Sequence, residues 1–238
     1  MAEPIHQDLK IQAARKALEL VRDGMTLGLG SGSTSAFFVD LLGEKLQSGA
    51  LQNLRGVPTS EATARQASSW GIPIISLSET VPGGIPHLDL AIDGADEVDA
   101  RLNLIKGLGR ALLREKLVEI HAKRFVVVVD ESKVVAPLGT RGPIPVEIIP
   151  FEAEVHLRWL NTLGCRAELW REEDGAPVIT DNGMYLARCW FADGIPDAYE
   201  LARRLSERPG IVEHGLFLDM ADQVIVAGKQ GIRIIQKS

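Results

Sequence analysis

The sequence predicts an α/β protein: a Rossmann-like, doubly wound and mostly parallel sheet, with a smaller α+β domain of ferredoxin-like type inserted before the C-terminal strands. Three observations lead to this fold class. Short apolar runs alternate with helical segments as far as residue 135, as in chains built from βα units. Four valines at 126–129 are typical of a parallel strand buried on both faces. Beyond residue 135 the order becomes strand, helix, strand, strand, helix, which is typical of a ferredoxin-like domain.

These observations predict two domains. The first consists of residues 1–137 and 211–238, and the second consists of residues 138–210. The connector at 136–145 is rich in proline and glycine, which interrupt regular structure. We expect the final strands to rejoin the first sheet or to bridge the two domains.

The elements of the first domain follow from the pattern of apolar residues. Apolar side chains at Ile11, Ala14, Leu18 and Val21 recur at helical intervals, so an amphipathic helix is expected over 6–21. The other predicted strands are 25–29, 55–58, 72–76, 88–92 and 124–130, and the other predicted helices are 36–46, 60–70 and 110–121.

The remaining elements are shorter. Strands are predicted at 146–149 and 166–171, helices at 153–163 and 197–207, and two hairpin-like strands around the turn at 180–183. The closing strands are predicted at 216–218, 223–227 and 232–236.

Composition excludes several classes of function. A net charge of −6 over 238 residues argues against a nucleic-acid surface, which usually needs a basic patch. No apolar run reaches the length of about 18 residues that a membrane span needs, and the first ten residues have no apolar signal-peptide core. The two cysteines, Cys165 and Cys189, are interpreted as reduced packing thiols, and the five histidines show no zinc-type spacing. We therefore expect a cytoplasmic protein with neither nucleic-acid nor membrane partners.

A glycine-rich loop lies between the strand at 25–29 and the next helix. It is not a dinucleotide fingerprint, because the third glycine of that motif would fall at Ser33, and no Gly-Lys-Ser/Thr of a Walker loop follows. Backbone N–H groups at a helix start, with hydroxyls beside them, suit a monoester phosphate. A tight turn with an N-cap serine explains the loop equally well. The glycines are Gly28, Gly30 and Gly32, and the hydroxyl residues are Ser31, Ser33, Thr34 and Ser35.

A second group of polar residues follows the strand at 88–92. Asp93, Asp96 and Glu97 come directly after it, Lys106 precedes a glycine pair, and Glu115 lies in the helix beyond. Carboxylates raise one another's pKa and a nearby lysine lowers it, so such a mixture can supply a base that works near neutral pH. At the carboxyl edge of an open sheet, beside a phosphate loop, these groups predict proton transfer on a small phosphorylated molecule.

Simpler interpretations stay open for some of these residues. Asp93, Asp96 and Glu97 could hold Mg²⁺, although their spacing fits no EF-hand loop and a nearby lysine would compete with a cation. Spacing alone does not select Glu115, which lies roughly opposite an expected core stripe. That stripe consists of Leu113, Leu117 and Ile120. Lys10 and Lys133 could each donate charge to phosphate, but isolated lysines are usually surface residues.

Several motifs together resemble ribose-5-phosphate isomerase of the A type. They keep the family's order and spacing over nearly the whole chain, which makes the resemblance more specific than one glycine loop. The motifs are Gly-Ser-Gly-Ser-Thr at 30–34, Asp-Gly-Ala-Asp-Glu at 93–97, Lys-Gly-Leu-Gly at 106–109, Arg-Glu-Lys at 114–116 and Asp-Glu-Ser-Lys at 130–133. Shorter matches lie at 145–150, 180–183, 209–212 and 215–217.

The resemblance implies interconversion of D-ribose 5-phosphate and D-ribulose 5-phosphate in the non-oxidative pentose phosphate pathway, without a metal or nucleotide cofactor. It also implies a homodimer or homotetramer. Glu115 would be the base that moves the proton between C1 and C2, Asp93 would assist ring opening, and Asp96 and Lys106 would bind the sugar and stabilise charge. The substrate-binding residues it implies are Lys10, Ser31, Gly32, Ser33, Thr34, Asp93, Gly94, Ala95, Asp96, Lys106, Gly107, Leu108, Gly109 and Lys133.

The chain departs from the family's pattern at two places. Ser31 stands where the family commonly has threonine, and the hydroxyl is kept. At 106–110 the family commonly has Lys-Gly-Gly-Gly-Ala, and this chain has Leu108 and Arg110 at the third and fifth of these positions. A positive φ at position 108 would change the turn that carries Lys106. We expect Leu108 to be tolerated.

Two other functions share this general fold. A sugar-phosphate-sensing domain of a transcriptional regulator is disfavoured, because no helix-turn-helix segment precedes residue 10 and the acidic group is complete. An amino-sugar phosphate deaminase would usually need a catalytic histidine near the carboxylates. His87 and His121 are the nearest candidates, and neither lies within the acidic motif.

Overall fold

Helices and strands alternate through most of the chain in the computed structural model, which describes residues 4–81, 84–85 and 87–237. The helices are α1 (Pro4–Leu18), α2 (Ser33–Gln47), α3 (Glu61–Ser69), α4 (Leu112–Glu119), α5 (Ala153–Asn161) and α6 (Ala198–Ser206). The strands are β1 (Thr26–Leu29), β2 (Arg55–Pro58), β3 (Leu90–Asp93), β4 (Glu97–Val98), β5 (Leu104–Ile105), β6 (Phe125–Asp130), β7 (Ile144–Ile148), β8 (Arg166–Leu169), β9 (Tyr185–Trp190), β10 (Ile211–His214), β11 (Leu216–Phe217), β12 (Gln223–Gly228) and β13 (Gly231–Gln236). Short 3₁₀ turns lie at Leu77–Glu79 and Glu131–Lys133.

The chain divides into two compact units. The first contains Met1–Ala95, Arg114–Lys133 and Met220–Ser238, and the second contains Asp96–Leu113 and Val134–Asp219. Residues 96–113, which the sequence analysis placed in the first domain, therefore group with the second unit. The domain boundaries after residues 137 and 210 stay a prediction.

The first unit is built on a six-stranded sheet in the order β13-β12-β6-β3-β1-β2. Its neighbours pair in parallel except at one edge, where β13 runs antiparallel to β12. All six residues of β6 are buried, as expected for a central parallel strand made of valines. The predicted mostly parallel sheet is confirmed, and so is the expectation that the last two strands rejoin it.

Apolar helix faces cover this sheet. Ala13, Ala14 and Ala17 of α1 and Phe38 and Leu42 of α2 are completely buried, in one core with residues of β1, β3 and β6. Alanines on α1 leave room for the close approach of α2. Burying a large apolar side chain such as Phe38 stabilises the fold by roughly 1.5–3 kcal/mol.

One predicted strand is wrong. Residues 72–76 form no strand, and only an isolated bridge joins Ile74 to Gly56. Gly56 N donates to Pro73 O at 2.9 Å, and Ile75 N donates to Gly56 O at 3.0 Å. Proline has no N–H to donate, so the ladder cannot extend through position 73.

The second unit is antiparallel. Its four-stranded sheet has the order β10-β7-β9-β8, and α5 and α6 contribute to one apolar core with it. A three-stranded sheet, β11-β5-β4, belongs to the same unit. The predicted α+β pattern is thus present, with β10 as an additional strand. The turn at 180–183 closes with a hydrogen bond from Gly183 N to Thr180 O of 2.9 Å. Before it, two isolated bridges, Arg171 to Pro177 and Ile179 to Tyr185, replace the predicted strand.

None of the helices within the described ranges combines the length and the apolar composition needed to cross a membrane.

Candidate active site

The glycine loop of the first unit lies where the order of the parallel strands reverses. β1 has β2 on one side and β3 on the other, so consecutive connections leave it in opposite directions. In open α/β sheets, ligands bind outside the carboxyl ends of the strands at this switch point. Residues 30–32, between β1 and α2, and residues 94–95, directly after β3, flank that point.

The glycines of this loop are required by space and by backbone conformation. A Cβ at Gly30 would lie 2.2 Å from Asp93 Oδ1, so no larger residue fits there without displacing the aspartate. Gly32 has φ +88°, which other residues rarely adopt, and it is the N-cap of α2. The alternative of an N-cap serine is therefore wrong. No side chain among the described residues caps α2, so its first N–H groups face the loop.

Hydroxyl groups and one lysine surround the loop. Lys10 Nζ donates to Ser33 Oγ at 2.8 Å. Ser31 Oγ lies 2.7 Å from Thr59 Oγ1 and donates to Ser60 Oγ at 2.9 Å. The loop thus combines a helix N-terminus, a cation and hydroxyls, the groups that bind a phosphate monoester.

Asp93 holds the loop in this conformation. Its Oδ1 accepts hydrogen bonds from Ser31 N (2.9 Å), Ser35 Oγ (2.8 Å) and Gly94 N (2.7 Å). The side chain is buried, with 1% of the residue exposed. Bonds from buried N–H and O–H groups to a carboxylate are among the stronger protein hydrogen bonds. Asp93 therefore fixes both ends of the loop to the carboxyl end of β3.

The second unit contains the other glycine turn. Asp96 Oδ2 accepts a hydrogen bond from Leu108 N at 2.9 Å, and Lys106 N donates to Gly215 O at 2.9 Å. Lys106 is buried, with 2% exposed, and its amine lies 5.4 Å from the centre of the Phe217 ring. Asp96 thus fastens the turn that begins at Lys106.

The concern about Leu108 is resolved within this turn. Gly107 has φ +105°, while Leu108 is not among the residues with positive φ. The residue that does adopt the left-handed conformation is Arg110, with φ +69°. Leu108 is therefore compatible with the turn, and the unusual substitution is Arg110.

Glu97 belongs to a third hydrogen-bond set. Its carboxylate accepts from Gly139 N at 2.5 Å, Arg141 N at 2.6 Å and Gly142 N at 3.2 Å, all within the second unit. In the described part of the chain, no group of three or more His, Cys, Asp or Glu side chains is arranged to hold a metal ion. Asp93, Asp96 and Glu97 accept hydrogen bonds from backbone or hydroxyl donors, and these donors lie in three different loops.

The burial of α4 corrects the sequence analysis. The expected core stripe is wrong, because Leu117 is 48% exposed and Ile120 is 59% exposed. The buried face instead carries Glu115, Val118 and Glu119, of which Glu115 is only 3% exposed. These positions share one helix face at intervals of three and four. Glu115 is thus a buried carboxylate rather than a surface one.

Packing within the first unit shows which end of the sheet Glu115 is near. A Cβ at Gly28 would lie 2.9 Å from Val118 Cγ1, so the glycine allows α4 to pack directly on β1. His121 O accepts a hydrogen bond of 2.8 Å from Leu88 N, just before β3, so the C-terminal end of α4 lies at the amino end of that strand. The helix therefore runs toward the amino edge. Glu115, about 4.5 Å before Val118 along the axis, lies on the carboxyl side of Gly28, where the glycine loop begins.

The residues singled out from the sequence are distributed over both units. Lys10, Ser31, Gly32, Ser33, Thr34, Asp93, Gly94, Ala95, Glu115 and Lys133 are in the first unit, and Asp96, Lys106, Gly107, Leu108 and Gly109 are in the second. Lys133 ends a 3₁₀ turn after β6, at the carboxyl edge of the parallel sheet. Hydrogen bonds link Lys10 to Ser33, Asp93 to Ser31, and Asp96 to Leu108.

Sequence reasoning missed the hydroxyls that follow β2. Thr59, Ser60 and Thr63 are buried and connect to Ser31, and Thr63 Oγ1 donates to Gly30 O at 3.0 Å. The position of Thr59 and Ser60 directly after a strand of the parallel sheet was the available signal. Such residues lie at the same edge as the loop after β1.

Comparison with known protein families gives one consistent result. The family model for ribose 5-phosphate isomerase A (phosphoriboisomerase A) matches residues 55–231. A ribose-5-phosphate isomerase A of Synechococcus sp. (strain JA-3-3Ab) is 48% identical, over 97% of this chain and 98% of the relative. The probable ribose-5-phosphate isomerase 3, chloroplastic, of Arabidopsis thaliana is 47% identical, over 97% of this chain and 83% of the relative.

Solved structures agree with the sequence relatives. A D-ribose-5-phosphate isomerase in complex with phospho-erythronic acid has a TM-score of 0.91 and 42% identity, covering 97% of this chain and 98% of that chain. Ribose 5-phosphate isomerase A of Methanocaldococcus jannaschii has a TM-score of 0.90 and 40% identity, covering 98% of this chain and 100% of that chain. Sequence and fold are thus similar to these proteins over nearly the whole length.

Proposed function

The chain belongs to the ribose 5-phosphate isomerase A family, and we propose that Glu115 is the base with which it performs that family's reaction. It is an aldose–ketose isomerase of D-ribose 5-phosphate and D-ribulose 5-phosphate. The observation that carries the role of Glu115 is its burial on the α4 face that packs on β1, at the carboxyl side of Gly28. That position suits a base for a substrate whose phosphate binds at the start of α2.

The reaction moves one proton between adjacent carbons. After the furanose ring opens with the help of Asp93, the carboxylate of Glu115 takes the proton from C2 of the aldose. The electron pair left behind forms the C1–C2 double bond of an enediolate. Glu115 then returns the proton to C1, while the hydroxyl proton of O2 passes to O1 and C2 becomes the carbonyl carbon of the ketose. A positioned general base contributes about 10²–10⁴-fold to the rate, so charge stabilisation and positioning supply the rest.

Lys106 is the group proposed to stabilise the negative charge of the enediolate. Its amine is on a buried side chain, where electrostatic interactions are stronger than in water. Asp96 supports this role through its hydrogen bond to Leu108 N, which fastens the turn. We propose that Gly94, Ala95, Gly107 and Gly109 contribute backbone contacts to the sugar.

The phosphate is proposed to bind at the glycine loop. Ser31 to Thr34 present hydroxyls and N–H groups at the α2 N-terminus, and Lys10 supplies positive charge beside Ser33. Lys133 follows the neighbouring β6 at the same sheet edge and is proposed as a second cation. The structural relative solved with phospho-erythronic acid binds a molecule that also carries a phosphate and a chain of hydroxylated carbons.

Assembly and location are further parts of the proposal. We propose a homodimer or homotetramer, as the family resemblance implies, which light scattering after gel filtration measures directly. We propose a cytoplasmic location, which suits the two free thiols of Cys165 and Cys189. One plant relative is named chloroplastic, so fractionation of the native cells is the relevant test.

The alternative function of a sugar-phosphate sensor is not favoured. Relatives that match more than nine-tenths of this chain are named as isomerases. A sensor would bind ribose 5-phosphate without converting it, so one turnover assay separates the two functions.

The test follows formation of the ketose by ultraviolet absorbance, with EDTA present. We expect wild-type turnover, and a loss of about 10²–10⁴-fold in Glu115→Gln. Glu119→Gln is the matched control, because Glu119 is also 3% exposed on the same helix face. The control should stay within about threefold of wild type, and calorimetry should show that Glu115→Gln still binds ribose 5-phosphate.

Two results would contradict the proposal. Near-normal turnover by Glu115→Gln would remove the glutamate from its role as base. Activity only after addition of Mg²⁺ would instead support a metal-assisted reaction.

A further inference from the structure

Arg110 adopts a backbone conformation that residues with a side chain rarely take. Its φ of +69° is left-handed, and its N–H donates to Gly107 O at 2.9 Å, which closes the turn after Lys106. Residues held in this conformation are maintained by their surroundings. The surroundings of Arg110 are therefore informative about how the turn is kept in place.

The guanidinium of Arg110 makes a two-pronged ion pair. Its two terminal nitrogens donate to Glu172 Oε1 at 2.5 Å and Oε2 at 3.0 Å. The same group lies 5.2 Å from the centre of the Trp170 ring. Arg188 lies 5.4 Å from that ring, so the indole contacts two arginines. Bidentate geometry adds directional specificity that a single contact lacks, and the ring contributes a cation–π interaction.

Glu172, which accepts both hydrogen bonds of this pair, lies in a segment that is hydrogen-bonded to the sheet of the second unit. Trp170 N donates to Leu186 O at 2.7 Å, and Val178 N donates to Trp170 O at 2.9 Å. Glu172 N donates to Ala176 O at 2.8 Å. Glu172 is thus carried by a hydrogen-bonded loop between β8 and β9 rather than by a loose segment.

We propose that Arg110 and Glu172, here called the Arg110 clamp, position Lys106 for the isomerase reaction. The turn is fixed at three places. At its start Lys106 N donates a hydrogen bond to Gly215 O, and in its middle Leu108 N donates one to Asp96 Oδ2. At its end the clamp holds Arg110. Without the clamp, the strained backbone at Arg110 relaxes and the Lys106 amine samples other positions. Arg110 is a positioning residue, and this inference rests on the proposed role of Lys106.

Arg110→Met and Glu172→Gln test the clamp, because each removes a charge while keeping most of the side chain's shape. We expect each to lower kcat about fivefold with KM within about twofold, the upper end of what an exposed ion pair contributes. The double variant should also lose about fivefold, because both changes break one interaction. Roughly 0.5 M NaCl should lower wild-type kcat toward that of the variants, since salt screens exposed charges.

Arg166→Met is the matched control. Arg166 also pairs with a glutamate, Glu168, at 2.7 Å, and also lies over a tryptophan, Trp190, at 5.7 Å. It is in the same four-stranded sheet as Leu186, the hydrogen-bond partner of Trp170, and it pairs with Glu168 rather than with a residue of the Lys106 turn. We expect its kcat to match wild type.

Lys106→Ala separates failure of the clamp from failure of the proposed function. If Lys106→Ala loses turnover while Arg110→Met keeps wild-type kcat, the clamp is overturned and the role of Lys106 stands. If Lys106→Ala keeps wild-type kcat, both are overturned. Two other results would also overturn the clamp. One is a kcat about 25-fold below wild type in the double variant of Arg110 and Glu172, since the two losses would then be independent. The other is a loss of kcat in Arg166→Met equal to that in Arg110→Met.

Discussion

The two glycine-rich loops, one in each unit, are fastened in the same way, but a different aspartate fastens each. Each is held by an aspartate of the Asp-Gly-Ala-Asp motif at 93–96: Asp93 for the loop after β1, and Asp96 for the turn after β5. In the first loop, Gly30 is required because Asp93 occupies the space of a side chain. In the second, Gly107 is required by its φ of +105°.

This difference changes how the acidic motif is understood. The sequence analysis treated its carboxylates as one cluster whose members raise one another's pKa. In the structure Asp93 and Asp96 accept hydrogen bonds from the loops of different units, and Glu97 accepts three backbone N–H groups of a third loop. Their spacing therefore serves loop architecture, while the buried carboxylate proposed as the base comes from α4.

The largest effect should come from Asp93→Asn. This change removes the charge from an oxygen that accepts three hydrogen bonds, and it also removes the group proposed to assist ring opening. We expect kcat/KM to fall about 10²–10³-fold and stability to fall by about 2–3 kcal/mol. Steady-state kinetics and urea unfolding measure the two effects. A variant with wild-type kinetics would show that the loop does not depend on the Asp93 carboxylate.

Asp96→Asn should have an intermediate effect. The turn after Lys106 keeps its hydrogen bonds at Gly215 O and Gly107 O when the bond to Leu108 N is weakened. We expect kcat to fall about tenfold, with little change in the affinity for inorganic phosphate, because the loop proposed to bind phosphate is in the first unit. An equal loss of phosphate affinity in Asp96→Asn and Asp93→Asn would contradict the assignment of one aspartate to each loop.

The smallest effect on turnover should come from Asp89→Asn, at the opposite end of β3. Asp89 accepts from Thr26 N at 2.9 Å and from Lys123 Nζ at 3.0 Å. Burial raises the pKa of Asp89, but the Thr26 N–H and the Lys123 ammonium outweigh it, so the pKa lies below its ordinary value. The carboxylate therefore stabilises the fold above the ordinary aspartate pKa of about 4 and loses this contribution as pH falls through the lowered value.

The expected results for Asp89→Asn follow from the lowered pKa of Asp89. At pH 7 the variant should be about 1 kcal/mol less stable than wild type, a value reduced for partial exposure, and kcat should stay within about twofold. The stability difference should shrink toward zero near about pH 3. A difference that grows as pH falls would contradict the lowered pKa, and a large loss of kcat would show that both ends of β3 serve the reaction.

Much of the fold could be predicted because local patterns and tertiary packing agree. The valines of β6 and the glycines at 28–32 predicted a parallel sheet with a loop at its carboxyl edge, and the structure confirms that sheet. The strand at 72–76 was wrong because Pro73 cannot donate to a ladder. A run of apolar residues alone does not reveal that limit.

The site was harder to predict, because burial on α4 opposes the apolar pattern. Leu117 and Ile120 suggested the core face, yet they are exposed and Glu115 is buried. A single sequence does not reveal that reversal, since a helix with apolar and charged residues on several faces can pack in more than one way. The partners of Asp93 and Asp96 lie 62 and 12 residues away in the chain, and Glu172 lies 62 residues from Arg110. Long-range pairs of this kind leave no local signal.

The most direct test of Glu115 as the base is exchange of the transferred proton with solvent. Wild-type enzyme and Glu115→Gln are incubated with ribose 5-phosphate in D₂O, and deuterium at C1 and C2 is followed by NMR. We expect wild type to form ketose and incorporate deuterium. Glu115→Gln should bind the sugar phosphate, yet its isomerisation and exchange should both be slower by about 10²-fold or more. Exchange at the wild-type rate in Glu115→Gln would contradict the account, because another group would then be removing the proton.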